Sequence, residues 1–104
     1  MYVPTFVLLS RLTPAGRRTL REKPERIDEV NEEISYLGCK ILRQYAVLGP
    51  YDFVTVIEAP DNETVVQLSL ALGARGTLEI MSLAAAPMGD FLRKLGGPER
   101  VGGA

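Results

Sequence analysis

Residues 5–12, Thr-Phe-Val-Leu-Leu-Ser-Arg-Leu, are apolar or β-branched at nearly every position and end at Thr13-Pro14. That is a strand of ordinary length, followed by a capping residue and a proline at a first helical position. The period then changes. Arginines at 17, 18, 21 and 26 are interleaved with carboxylates at 22, 25, 28, 29, 32 and 33. In one continuous helix this order sets positive charge near the N-terminus and negative charge late, against the helix dipole. Pro24 resolves the conflict, because an interior proline removes a backbone hydrogen bond. A short first helix is predicted to end near Lys23, and a longer one to start at Pro24 with Glu25, Asp28 and Glu29 in its first turns. Its buried stripe is Ile27, Val30, Ile34 and Leu37, and Gly38 is its natural stop.

Strand character returns over 39–48 and again over Asp52–Ala59, with the turn-rich Gly49-Pro50-Tyr51-Asp52 as the hairpin connection. Pro60-Asp61 repeats the proline-and-cap arrangement before a helix over 62–73. Val65, Val66, Leu68, Leu70 and Leu72 are expected to be buried there over a wide face, with Gly73 and Gly76 bracketing the end. A fourth strand runs from Thr77 to about Ala85 and stops at Pro87; Met88–Leu95 forms a short terminal helix with Phe91 and Leu95 on one side. The predicted fold class is α+β: a ferredoxin-like βαββαβ sandwich with a four-stranded antiparallel sheet and helices on one face. One domain is expected over residues 1–95 and a flexible tail over 96–104.

Alternation splits each strand into two faces. One set is nearly all apolar and should lie beneath the helices: Phe6, Leu8 and Leu12; Leu42, Ala46 and Leu48; Phe53, Ile57 and Ala59; Leu78, Ile80 and Ala84. The opposite set holds Val7, Leu9, Ile41, Val47, Val54, Val56, Met81 and Leu83, with Thr5, Arg11, Arg43, Tyr45, Glu58 and Glu79 among them. That is too much contiguous apolar surface for a lone domain. The expectation is a homodimer with the sheets face to face, the arrangement of a dimeric α+β barrel, open to higher association. The competing reading is a lone domain partly covered by its own C-terminal segment.

Composition removes several functions. Hydrophobic residues make up 46% and charged residues 24%, an ordinary globular balance. Twelve basic and thirteen acidic side chains leave a net charge of −1, which gives no electrostatic case for nucleic acid or an anionic membrane. The longest apolar runs, such as Phe6–Leu9 and Leu83–Ala86, are too short to span a bilayer, and no signal-peptide pattern opens the chain. The absence of histidine excludes His-based metal sites, acid–base catalysis and Ser-His-Asp or Cys-His arrangements. Cys39 is the only cysteine, so no intrachain disulfide forms and a reducing cytoplasm is the expected compartment. No metal and no cofactor are expected.

Gly49-Pro50-Tyr51-Asp52-Phe53 resembles the signature of the GYD-domain family, small bacterial and archaeal proteins named for a Gly-x-Tyr-Asp-type motif. Further blocks agree in order: residues 8–16, 23–26, 56–61 and 70–76. The resemblance covers about residues 5–95 and implies the dimeric ferredoxin-like, or α+β-barrel, fold. It implies no particular activity.

The candidate ligand-binding residues are Tyr51, Asp52, Arg11, Arg43 and Tyr45. In a functional reading, the Tyr51 hydroxyl and Asp52 carboxylate border a pocket, and Arg11 or Arg43 holds a carboxylate or phosphate. In a structural reading, Gly49, Pro50, Tyr51 and Asp52 only turn the chain, and the charged residues of the sheet face fix the dimer's register. Arg17, Arg18 and Arg21, interleaved with glutamates, read as a solvated helix surface. With no nucleophile–base pair, the first functional expectation is a non-catalytic homodimer that binds a small molecule or regulates. The alternative is a cofactor-independent oxygenase or isomerase acting on a small acidic or aromatic molecule. A purely structural or assembly role is the third.

Overall fold

The computed structural model describes residues 3–96; residues 97–104 of the expected tail lie outside them. Strands β1 (Thr5–Leu12), β2 (Lys40–Ala46), β3 (Phe53–Glu58) and β4 (Leu78–Ala85) form one sheet in the order β2-β3-β1-β4, and every neighbouring pair is antiparallel. The helices are α1 (Pro14–Glu22), α2 (Arg26–Tyr36), α3 (Asn62–Gly73) and α4 (Met88–Gly96). None is long and apolar enough to cross a membrane.

Local chemistry sets these boundaries. The Thr13 hydroxyl accepts from the Gly16 N–H at 3.1 Å, capping α1, and donates to the Gly76 carbonyl at 2.6 Å. The Thr13 N–H donates to the Thr77 carbonyl at 3.1 Å, so the start of α1 is pinned to the turn before β4. Pro24 and Glu25 occupy the break between α1 and α2, as the charge order requires. At the end of α2 the Cys39 N–H reaches the Ile34 carbonyl at 3.2 Å and the Gly38 N–H reaches Ser35 at 2.9 Å, the paired bonds of a Schellman stop. The Asp61 carboxylate caps α3, accepting from the Thr64 hydroxyl and N–H, and these bonds hold its carboxyl below the ordinary range. A two-pronged Arg75–Glu33 pair ties α2 to the turn after α3 and holds the Glu33 carboxyl low.

The core lies between the sheet and α2 and α3. Phe6 and Leu8 of β1 and Ile57 of β3 meet Ile34, Val65, Leu68 and Leu72, with Cys39 and Ala59 at the strand ends. Burial pushes the Cys39 thiol up, and the Asp61 charge acts in the same direction.

Three expectations are corrected. Val66 and Leu70 are exposed, because Val65, Leu68 and Leu72 already fill the sheet-facing side of α3 and no described element packs above it. In β2 the register passes from Ile41↔Ile57 to Arg43↔Val56, so Leu42 is the extra residue of a bulge. Ile41, expected on the open face, therefore packs against the core, while Arg43 and Tyr45 beyond the bulge keep the open face as expected. Leu48 lies in the loop between β2 and β3, fully exposed, and not beneath the helices. Ala46 and Ala84 do share the helix-side register, opposite Phe53 and Phe6, but lie on the two edge strands and are exposed.

The opposite sheet face gathers Val7, Leu9, Val54, Val56, Met81 and Leu83 across three adjacent strands. Met81 and Leu83 remain exposed, and α4 buries none of its own residues. The C-terminal helix therefore does not cover this face.

Candidate functional site

β1 runs two residues past its last pairing with β3, which is Ser10↔Phe53. On that side the ladder would leave Leu12 without a strand partner. The hairpin loop supplies one: Asp52 Oδ2 accepts from the Leu12 N–H at 2.8 Å, while the Asp52 N–H donates to the Ser10 carbonyl at 2.8 Å. The Val47 N–H closes the loop onto the Asp52 carbonyl at 2.9 Å. Gly49 turns the chain at φ 115°, a conformation that side chains with a Cβ rarely adopt.

Arg11 completes the corner. Its Nε donates to the Pro50 carbonyl at 3.0 Å, and its guanidinium lies 5.5 Å from the centre of the Tyr51 ring, within cation–π range. The Tyr51 hydroxyl points at Met81 Sδ, 3.6 Å away. Of the predicted ligand residues, the fold thus brings together Arg11, Tyr51 and Asp52. Arg43 and Tyr45 lie on β2, separated from β1 by β3, and Arg43 donates only to the Leu42 carbonyl beside it. Arg11 and Glu79 are opposite one another in the β1–β4 register, yet no ion pair joins them or links Arg43 to Glu58. A shallow depression of about 180 Å³ lies against Arg11, Tyr51, Glu79 and Met81.

A second polar group escaped the sequence reading. Beneath α1 and α2, Gln44 donates to Thr55 Oγ1 at 3.1 Å and accepts from Asn31 at 2.9 Å, at the edge of a space of about 60 Å³ also lined by Ser10. The signal was available: Ser10, Gln44 and Thr55 are, with Ser82, the polar residues at inward strand positions. A volume of that size is well below the roughly 300 Å³ at which ligand pockets start. No cluster of three His, Cys, Asp or Glu side chains suited to a metal occurs among the described residues.

At the corner, one carboxylate oxygen of Asp52 and the Nε of Arg11 terminate on backbone atoms, which ties the loop to β1. Asp52→Ala is expected to cost about 1–3 kcal/mol, because it leaves the half-buried Leu12 N–H without an acceptor. Asp52→Asn keeps an acceptor oxygen and should lose clearly less. Urea unfolding of the two variants reads the difference; equal losses would contradict the clasp.

A family model described as the GYD domain matches residues 6–95. A curated protein of Thermus thermophilus, named glutamine synthetase and cystathionine beta-lyase binding protein, is 49% identical over 94 residues, covering 89% of this chain and 99% of that protein. No solved structure matches the chain.

Proposed function

The chain belongs to the GYD-domain family, and from that membership we propose that it is a non-catalytic regulatory homodimer whose partners are other proteins. The observation that carries this reading is the contrast at the hairpin corner. Arg11 and Asp52 are engaged by the chain's own backbone, while the apolar sheet face beside them is covered by no described residue. Recognition then rests on shape and apolar contact instead of a polar reaction site.

The strand order and the uniformly antiparallel pairing support a ferredoxin-like arrangement of two strand–helix–strand units. Two copies pair through the faces built around Val7, Leu9, Val54 and Val56, as in a dimeric α+β barrel. This pairing leaves the helix side outward, where Tyr36, Val66 and Leu70 stand exposed and serve as the docking surface for a partner protein. The relative's name supports protein partners, and the small volume beneath α1 and α2 favours them over a metabolite. It weighs equally against an oxygenase or isomerase. The lone, buried cysteine suits a reducing cytoplasm.

The test has two parts. Sedimentation velocity at micromolar concentration should show a dimer. Purified glutamine synthetase and cystathionine beta-lyase from the organism that supplies the chain, immobilised separately, should give saturable binding near 1 µM for at least one, the order of about 8 kcal/mol. A monomer would overturn the pairing. Absence of binding to both enzymes up to roughly a hundredfold higher concentration would overturn the partner assignment.

A further inference from the structure

Helix α4 is at odds with the rest of the chain. Met88, Phe91, Leu92 and Leu95 recur at intervals of three and four and make one apolar stripe, yet all are between 48% and 66% exposed. Asp90 and Arg93 pair with one another and, with Lys94, make up the polar positions. The helix has nine residues, whereas isolated helices shorter than about 12–15 residues are marginal in water. A stripe of this kind acquires its stability by packing. Only Ala86 and Pro87 join α4 to β4, and among the described residues none buries the stripe.

The sheet face is a modest patch by itself. Four strands at about 4.8 Å spacing and seven residues at about 3.3 Å rise cover a plane of roughly 450 Å². A stable interface takes about 800 Å² from each partner. The chain thus carries an apolar face of modest extent and, directly after the strand bearing Met81 and Leu83, an exposed apolar helix that can add to it.

We propose that α4 is an exchanged arm: in the face-to-face pair, its Met88–Leu95 stripe packs on the second copy and extends the interface that the sheet face begins. This rests on the pairing set out above. Two-fold symmetry makes the contact twice, so each protomer both offers an arm and receives one. The interface closes on itself, which fixes a dimer and not an open chain.

The test uses the full chain. Sedimentation equilibrium should show the dimer of the Phe91→Asp/Leu95→Asp variant weakened at least about a hundredfold relative to the unsubstituted protein. A photo-crosslinking residue at position 92, in isotope-labelled and unlabelled chains mixed before irradiation, should give products joining a labelled to an unlabelled chain. Far-ultraviolet circular dichroism checks that the double variant is folded; should it not fold, the crosslink alone decides. A dimer equally tight in the double variant, or crosslinks confined within one chain, overturns the arm and leaves the face-to-face pairing standing. A dimer that persists while binding to an enzyme partner is lost overturns it in favour of α4 as a partner contact. An unsubstituted chain that is monomeric removes the pairing and the arm together.

Discussion

Gly16→Ala is expected to destabilise the protein by about 2–3 kcal/mol, the upper part of the range for forcing an added methyl group into a packed site. A Cβ at this position would lie 2.9 Å from the carbonyl carbon of Thr77, and closer still to its oxygen. Backbone cannot rotate aside as a side-chain end can, so α1 must move off the sheet. That movement also loosens the Thr13 bonds to Gly76 and Thr77, which set where α1 starts. In an exposed helix the same change would gain about 1 kcal/mol from alanine's better helix propensity, so the clash must outweigh this gain as well. Gly73→Ala supplies the control, since no atom lies within 4 Å of a Cβ there. Thermal unfolding should place Gly16→Ala roughly 10–20 °C below the unsubstituted protein. Gly73→Ala should lie at or above it. Similar midpoints for the two variants would rule out the close approach of α1 to Thr77.

Leu68→Ala is expected to cost about 2–5 kcal/mol, and Leu70→Ala less than about 0.5 kcal/mol. The substitution is the same and the helix is the same. Leu68 is 1% exposed within the core cluster that includes Phe6, Leu8 and Ile57, and its truncation leaves a void there. Leu70 is 74% exposed and loses little on truncation. Denaturant midpoints measured side by side test the assignment of faces on α3, and comparable losses would contradict it. A lowered midpoint with an unchanged denaturant slope would mark a change in stability alone.

The same pair shows where the sequence ceased to be informative. Val65, Val66, Leu68, Leu70 and Leu72 form an apolar band too broad to assign one face, because periodicity does not reveal how many layers lie above a helix. Element order was easier to read, since Pro14, Pro24, Pro60 and Pro87 each mark a boundary that the fold keeps. The bulge at Leu42 was hidden: two adjacent apolar residues, Ile41 and Leu42, fit either phase of a strand, and only the partner register separates them. At the site, the hairpin motif was legible as a turn, but the Asp52 carboxylate's hold on the backbone of β1 was not. Its partner Leu12 lies forty positions away, a pairing that only the overhang of β1 creates. Arg43 and Tyr45 were correctly placed on the open face but not beside Arg11, because alternation assigns a side of the sheet and not a position across it.

That bulge also makes the two borders of the sheet unequal. The outer border of β2 is interrupted at Leu42 and flanked by Lys40 and Arg43, a combination that discourages further strands from adding. The outer border of β4 has no such interruption: eight residues in unbroken register with β1, one of them charged, Glu79. Chains opened by heat or by a core substitution should therefore polymerise from β4. Hydrogen exchange on early aggregates should find residues 78–85 protected before 40–46, and the reverse order would assign the seeding edge to β2.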